Sequence, residues 1–334
     1  MNDSRLEALD AWLGTLPTLG LYKLEPASGD ASFRRYFRVT AADATYIAMD
    51  APPEQEDCLP FVRVLSWLES FGLNVPLLLA SDIDRGFLLL SDLGAELYLD
   101  ALLAEPGRAD SLYGDALDAL AAMQRGGTVV IDELAPFDEA FIRRELLLFH
   151  DWLCSTHLQY SWTAGTEKEW GAISGLLVDR ALAQPIVFVH RDYHSRNLMV
   201  TPDNNPGILD FQDAVAGPLT YDLVSLVKDC YVTWPAEKVD TWVDGFYDRL
   251  DPDVQGKIGR ERFHVDFAFM GVQRHLKAAG IFARLNHRDG KPAYMNDIPR
   301  TLAYVLVVGK QFPELRFLCQ LIEDTVLPGL DVVS

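Results

Sequence analysis

The stretch from Pro185 to Phe211 constrains the fold more than any other part of this chain. Pro185-Ile186-Val187-Phe188-Val189 is a β-branched and aromatic run of strand length, ending at His190. Two further short strands, 197–201 and 207–211, are separated by Pro202-Asp203-Asn204-Asn205-Pro206, a segment dense in turn formers. The pair is expected to form a hairpin. A hairpin doubles the chain back and sets Asn197, entering the first strand, close to Asp210, leaving the second. Both side chains offer oxygen.

The loop ahead of the hairpin reads His190-Arg191-Asp192-Tyr193-His194-Ser195-Arg196-Asn197. Its spacing, H-R-D-x-x-x-x-N, is that of a kinase catalytic loop. There the aspartate accepts the proton of the attacking hydroxyl and the asparagine holds Mg²⁺. Asp210, closing the apolar run Gly207-Ile208-Leu209, stands where a second metal-binding carboxylate is expected. Mg²⁺ prefers oxygen donors and usually keeps waters and substrate phosphates as its other ligands. His190 reads as an architectural residue. A rival reading takes His190, Asp192 and His194, at alternate positions, as ligands of a transition metal. It leaves Asn197 and Asp210 without a purpose.

From Val189 to Leu226 these residues, with Gly217-Pro218-Leu219-Thr220-Tyr221-Asp222-Leu223, resemble the aminoglycoside phosphotransferase and choline kinase family of protein-kinase-like enzymes. Within that family the chain is most similar to bacterial kinases that phosphorylate N-acetylmuramate and N-acetylglucosamine at C1. That narrower likeness rests on Tyr46–Glu54, on Gln273-Arg274-His275-Leu276-Lys277-Ala278-Ala279-Gly280 and its continuation to Leu285, and on Arg288–Lys291 and Asp297–Arg300. The resemblance implies an α+β, bilobal protein-kinase-like fold. A small, mainly β N-lobe (residues 1–92) would precede a larger, mainly α C-lobe (residues 93–334). It implies Asp192 as general base, Asn197 and Asp210 as Mg²⁺ ligands, ATP as phosphoryl donor and a small-molecule amino sugar as acceptor. Asp222 would buttress the catalytic loop, although an aspartate ahead of Leu223-Val224-Ser225-Leu226 also suits a helix cap.

One departure from the kinase pattern stands out. The strand that should carry the phosphate-pairing lysine reads Tyr46-Ile47-Ala48-Met49-Asp50, with Met49 near the expected place. Phosphoryl transfer depends on positioning and charge neutralisation, so another cation is expected to serve. Arg34, Arg35 and Arg38 follow a short glycine-containing segment, Ser28-Gly29-Asp30-Ala31-Ser32, that looks like the phosphate loop of the family. Ser28, Gly29, Ser32 and the three arginines are therefore nucleotide-binding candidates. For any single arginine, a solvated hairpin is the plainer alternative. By the same resemblance, Ser91, Asp92 and Leu93 form the inter-lobe linker that would hydrogen-bond adenine; an ordinary strand-to-helix turn would read the same way.

On the acceptor side, His194 and Arg196 in the loop are candidates for contact with the sugar or phosphates. Residues 266–285 are expected as one long helix, and Arg274, His275 and Lys277 cluster in its otherwise apolar sequence. A cation there would suit the lactyl carboxylate of N-acetylmuramate, while charges on a helix are more commonly its wet face.

The remainder narrows the function classes. With 334 residues and 49% hydrophobic content the chain is long enough for two lobes. The net charge of −20 argues against nucleic acid and anionic membranes as partners. It does not exclude ATP, because a metal and a few arginines offset phosphate charge locally while distant charges are screened within about 8 Å. An acidic amphipathic helix is expected over residues 1–16, without the basic start and apolar core of a signal peptide, and a cytoplasmic location is expected. Cys58, Cys154, Cys230 and Cys319 lie far apart and form no metal or disulfide pattern. An aminoglycoside, choline or homoserine as acceptor, or a nucleotide-binding pseudokinase scaffold, are the alternatives.

Overall fold

The computed structural model describes residues 3–28 and 33–332. They form two compact units, Met1–Tyr98 with Asn197–Asp213, and Leu99–Arg196 with Ala214–Ser334. Each is taken by itself.

The first unit is built on a five-stranded antiparallel sheet: β1 (Tyr22–Ser28), β2 (Arg35–Ala41), β3 (Thr45–Asp50), β4 (Leu78–Asp82) and β5 (Phe87–Ser91). Their order across the sheet is β1-β2-β3-β5-β4. Alternation decides what each face meets. Phe37 and Val39 of β2, Ala48 of β3, and Phe87 and Leu89 of β5 pack with Leu9, Trp12 and Leu13 of the helix Ser4–Leu13. Each buried Val, Leu or Phe among them stabilises the fold by about 1.5–3 kcal/mol. Leu88 and Leu90 are buried as well, which is why β5 reads as a continuous apolar run. The turn between β4 and β5 ends at Gly86, whose φ of 73° is left-handed. A Cβ there would lie 1.8 Å from the Ala51 carbonyl oxygen, so nothing larger than glycine fits.

The helix Leu59–Ser70 buries Phe61, Val64, Leu65 and Leu68 at helical spacing. The hairpin expected after the catalytic loop is present. β8 (Leu198–Met199) pairs antiparallel with β9 (Gly207–Ile208), and Leu198 faces Ile208 in register. The Leu209 N–H donates to the Asn197 carbonyl (2.9 Å), closing the open end of the hairpin.

The second unit is mostly helical around a three-stranded sheet of β6 (Ala135–Pro136), β10 (Val215–Pro218) and β7 (Ile186–Val189), in the order β6-β10-β7. Its axis is one 30-residue helix, Arg260–Asp289. The apolar pattern reaches back only to Asp266, but the helix runs from one glycine to another. Gly259 (φ 67°) precedes it, and Gly290 (φ 64°) ends it in the left-handed conformation. At mid-length Gly280 brings it against the segment that continues the helix Glu139–Leu147. A Cβ on Gly280 would lie 2.2 Å from the Leu148 carbonyl carbon. Backbone meets backbone there, and Phe149 and Leu153 are buried. Among the described residues no helix is long and apolar enough to cross a membrane.

Candidate active site

Strand β7, buried from Val187 to Val189, delivers the chain to His190. The loop that follows is held by two buried aspartates. Asp222 accepts the His190 N–H at Oδ2 (2.6 Å) and the Arg191 N–H at Oδ1 (2.9 Å). It is the second residue of the helix Tyr221–Val227, which Thr220 precedes, so its carboxylate is spent on the loop. Burial pushes Asp222 up to about 7 against those two donors, which favour the charged form. Arg191 sits at φ 81°, a strained conformation for a non-glycine residue. Strain of this kind persists only where neighbours fix the backbone.

Asp229 fixes the far end of the loop. Its Oδ2 accepts the Ser195 N–H (3.0 Å) and the Ser195 hydroxyl, and its Oδ1 accepts the Tyr231 N–H (2.8 Å). Between the two aspartates, the buried Tyr193 hydroxyl donates to the Ala116 carbonyl (2.8 Å). The Asp192 N–H faces His190 Nδ1 at 3.3 Å, which gives His190 a place in the loop's own bonding. The carboxylate between these anchors has little freedom to move.

Asp192 lies in a strongly cationic setting. Burial alone would raise it, yet Lys277, His194, Arg274 and Arg191 outweigh burial and hold it well below the usual carboxylate range. It is therefore ionised and able to accept a proton. Burial lowers His194, while Asp229 and Asp192 pull it the other way. Asp192, His194, Cys230, Tyr231, Arg274 and Lys277 line one cavity of about 100 Å³.

The lining cations differ in their bonding. Lys277 Nζ pairs with Glu145 Oε1 (3.2 Å) and donates to the Tyr221 hydroxyl (2.9 Å). Gln273 Nε2 donates to the other Glu145 oxygen (2.9 Å). Arg274, only 5% exposed, forms no ion pair among the described residues. His275 lies outside the cavity, its ring nitrogens 2.6 and 2.9 Å from the carbonyls of Gly271 and Lys228. Arg196 is exposed and stacks its guanidinium on the Tyr231 ring, 3.7 Å from the centroid.

In the first unit, Asn197 Nδ2 donates to Asp210 Oδ2 (3.1 Å), and Gln212 Nε2 donates to Asp210 Oδ1 (2.7 Å). Asp210 adopts a left-handed φ of 60°. Two oxygen-bearing side chains in mutual reach fit a Mg²⁺ ion completed by phosphate and water. Among the described residues no group of three or more His, Cys, Asp or Glu could hold a metal, so the transition-metal reading of His190, Asp192 and His194 has no cluster behind it.

The three candidate arginines of the sheet all have carboxylate partners. Arg34 pairs with Glu56 (2.8 Å), with both side chains largely buried. Arg35 binds Asp50 through Nε (3.0 Å) and also reaches Asp3. Arg38 Nε donates to Asp92 (2.8 Å) and its NH2 to the Gly94 carbonyl (2.8 Å). Gly29 and Ser32 lie outside the described residues; of Ser28 only the backbone, at the end of β1, is described. The Ser91 hydroxyl accepts the Leu77 N–H (2.8 Å), and the Asp92 carboxylate accepts the Gly94 N–H (3.0 Å). Leu93 closes over Gly207, where a Cβ would come within 2.9 Å of its methyl carbon.

The loop aspartate, the hairpin Asn–Asp pair and the five-stranded sheet each match a feature of the kinase pattern. Residues 23–262 match the model of the phosphotransferase enzyme family. The chain belongs to that family. This phosphotransferase is 47% identical over 332 residues to the N-acetylmuramate/N-acetylglucosamine kinase of Pseudomonas aeruginosa, covering 96% of this chain and 97% of that one. It is 45% identical to the enzyme of the same name from Pseudomonas putida, covering 97% of each chain. Among solved structures, the choline kinase LicA from Streptococcus pneumoniae aligns over 90% of this chain and 99% of its own, with TM-score 0.61 and 13% identity. The ADP-bound aminoglycoside phosphotransferase APH(2'')-Ib aligns over 91% and 98%, with TM-score 0.58 and 14% identity. At such low identity these two show the fold, which is α+β and protein-kinase-like.

Glu145, Glu56, Asp229 and Tyr231, which contact the candidate residues, carry no motif in the sequence. Glu145 sits beside Arg143 and Arg144, so it reads as solvated helix surface. Glu56 lies in a turn-like acidic stretch. Asp229 and Tyr231 follow a short helix without a motif around them. Only the cluster of Arg274 and Lys277 pointed toward Glu145, because buried cations demand a buried acid.

Proposed function

We propose that the chain is an ATP- and Mg²⁺-dependent kinase that transfers the γ-phosphate to the anomeric hydroxyl of N-acetylmuramate and N-acetylglucosamine. The carrying observation is the 47% identity, over 96% of the chain, to a kinase named for those two sugars. Its cellular role would be cytoplasmic recycling of cell-wall amino sugars. Residues 1–92 would bind the nucleotide phosphates and residues 93–334 the acceptor sugar.

Asp192 accepts the proton of the attacking hydroxyl and holds that oxygen in line with the γ-phosphorus. Its ionised state, sustained by the surrounding cations, supports this role. Asn197 and Asp210 would hold Mg²⁺, which neutralises charge on the nucleotide phosphates when bound. Asp222 and Asp229 fix the loop so that the base is in place before the sugar arrives. Arg34, paired with Glu56 near the start of the helix Leu59–Ser70, takes the part of the missing lysine. In kinases that lysine is likewise held by an acid of the neighbouring helix. The linker backbone at Ser91–Leu93 would meet adenine, and His194 and Arg196 the sugar.

The structural neighbours named for choline and aminoglycosides suggest a cationic acceptor as the second reading. The 47% identity to a sugar kinase, against 13% to the choline kinase, speaks against it. The test is release of ADP from ATP with each sugar, with choline and with gentamicin, in the presence of Mg²⁺. Sugar-dependent ADP release supports the reading. Release with choline or gentamicin alone overturns it.

A further inference from the structure

A buried guanidinium without a carboxylate partner is costly, because its desolvation is uncompensated. Arg274 has Asp192 and Asp229 near enough to favour its charge, but no carboxylate in ion-pair contact among the described residues. It is 5% exposed, and its Nε has no hydrogen-bond partner. Its neighbours do not remove the need for one. Lys277, one turn on, is matched by Glu145. Asp229 is occupied by Ser195 and Tyr231. Asp192 shares its cavity, acts on it electrostatically, and would be engaged by the acceptor hydroxyl in the proposed chemistry. The Tyr221 ring, 5.9 Å from the guanidinium carbon, offers only its face.

Arg274 also opens onto the cavity that holds Asp192. A ligand placed there for attack by its hydroxyl brings its other substituents into reach of the guanidinium. Arginine's planar fork matches a carboxylate, and the match is worth most where water is excluded.

Resting on the sugar-kinase reading above, we infer that Arg274 is a specificity residue: it receives the carboxylate of an acidic amino sugar, the lactyl group of N-acetylmuramate, while Asp192 engages the hydroxyl. His275 does not share the task, since its ring is bonded to helix carbonyls. Lys277 does not either, since its Nζ is committed to Glu145 and the Tyr221 hydroxyl. N-acetylglucosamine, without the lactyl group, leaves Arg274 unpaired and forgoes that contribution.

The test compares kcat/KM for N-acetylmuramate and N-acetylglucosamine in the wild type and in Arg274→Gln. The ratio of the two is expected to fall about 10- to 100-fold in the variant, the worth of one charge-assisted hydrogen bond. A ratio that does not move overturns the inference, whether both values drop or neither does. A second measurement needs no variant. Wild type is assayed with N-acetylmuramate whose lactyl carboxylate is converted to the amide. A loss of 10-fold or more supports the inference, and equal turnover contradicts it. If wild type phosphorylates neither sugar, the function itself fails; if it phosphorylates both and the ratio stays fixed, only the role of Arg274 does.

Discussion

The cations of the first unit's sheet and those of the second unit's long helix are handled in opposite ways. Arg35 and Arg38 are each about a third exposed and tied to aspartates, Arg35 to Asp3 and Asp50, Arg38 to Asp92. Arg274 and Lys277 are nearly sealed from water. Lys277 is matched by a buried glutamate, and Arg274 forms no ion pair among the described residues. The sheet guanidiniums keep contact with water, which screens them in part, although the aspartates that hold them are buried. Buried cations act strongly on whatever shares their cavity, and here they act on Asp192. The same residue types thus serve as half-screened pairs with buried aspartates in one unit and as a sealed field around the proposed base in the other.

That contrast can be broken or sharpened by substitution. The largest effects are expected at the reacting groups. Asp210→Ala should leave no metal-dependent turnover, and retained activity would remove its metal role. Asp192→Asn should lower kcat by a factor of about 10² to 10⁴ while nucleotide binding, measured by calorimetry, persists. Lys277→Met comes next. It strips Glu145 of its main partner inside the fold and should cost about 3–5 kcal/mol in a denaturation experiment.

The same substitution tests the field. Asp192 is depressed in the folded protein, so its ionised form contributes stability above the unfolded value of about 3.9 and loses that contribution only as pH falls toward the lower folded value. Wild type should therefore show no acid limb in kcat/KM from this group above about pH 4. Lys277→Met removes the largest of the charges holding it down, so an acid limb should move upward into the measurable range. An unchanged profile in a folded variant would separate Lys277 from the base. The smallest effect is expected in the sheet, where Arg38→Ala takes one partner from the buried Asp92 and should cost about 1–3 kcal/mol in thermal unfolding. A larger loss there would erase the contrast.

Much of this was legible in the sequence where local chemistry decides structure. The helix Leu59–Ser70 follows from its apolar spacing and its closing Phe71-Gly72. The hairpin follows from the turn formers at 202–206, and with it the approach of Asn197 to Asp210. The long helix was recognisable but short by several residues, because its ends are set by Gly259 and Gly290 rather than by apolar periodicity. What was not legible depends on distant partners. Three arginines alternate near β2, and only their acids, Glu56, Asp50 and Asp92, distinguish them. Within Arg274, His275 and Lys277 a signal did exist. Positions three apart share a helix face and the middle one turns away, which separates the two cavity residues from His275. The pairing of Lys277 with Glu145 spans the chain and has no local signature.

The central claim is that Asp192 directs the γ-phosphate of ATP onto an anomeric hydroxyl. Phosphorus-31 NMR of the product formed from Mg-ATP and N-acetylmuramate, with Asp192→Asn in parallel, tests it most directly. The account predicts an anomeric sugar-phosphate resonance that is absent with the variant. A phosphate on another carbon, or an anomeric signal of equal size from the variant, would contradict it.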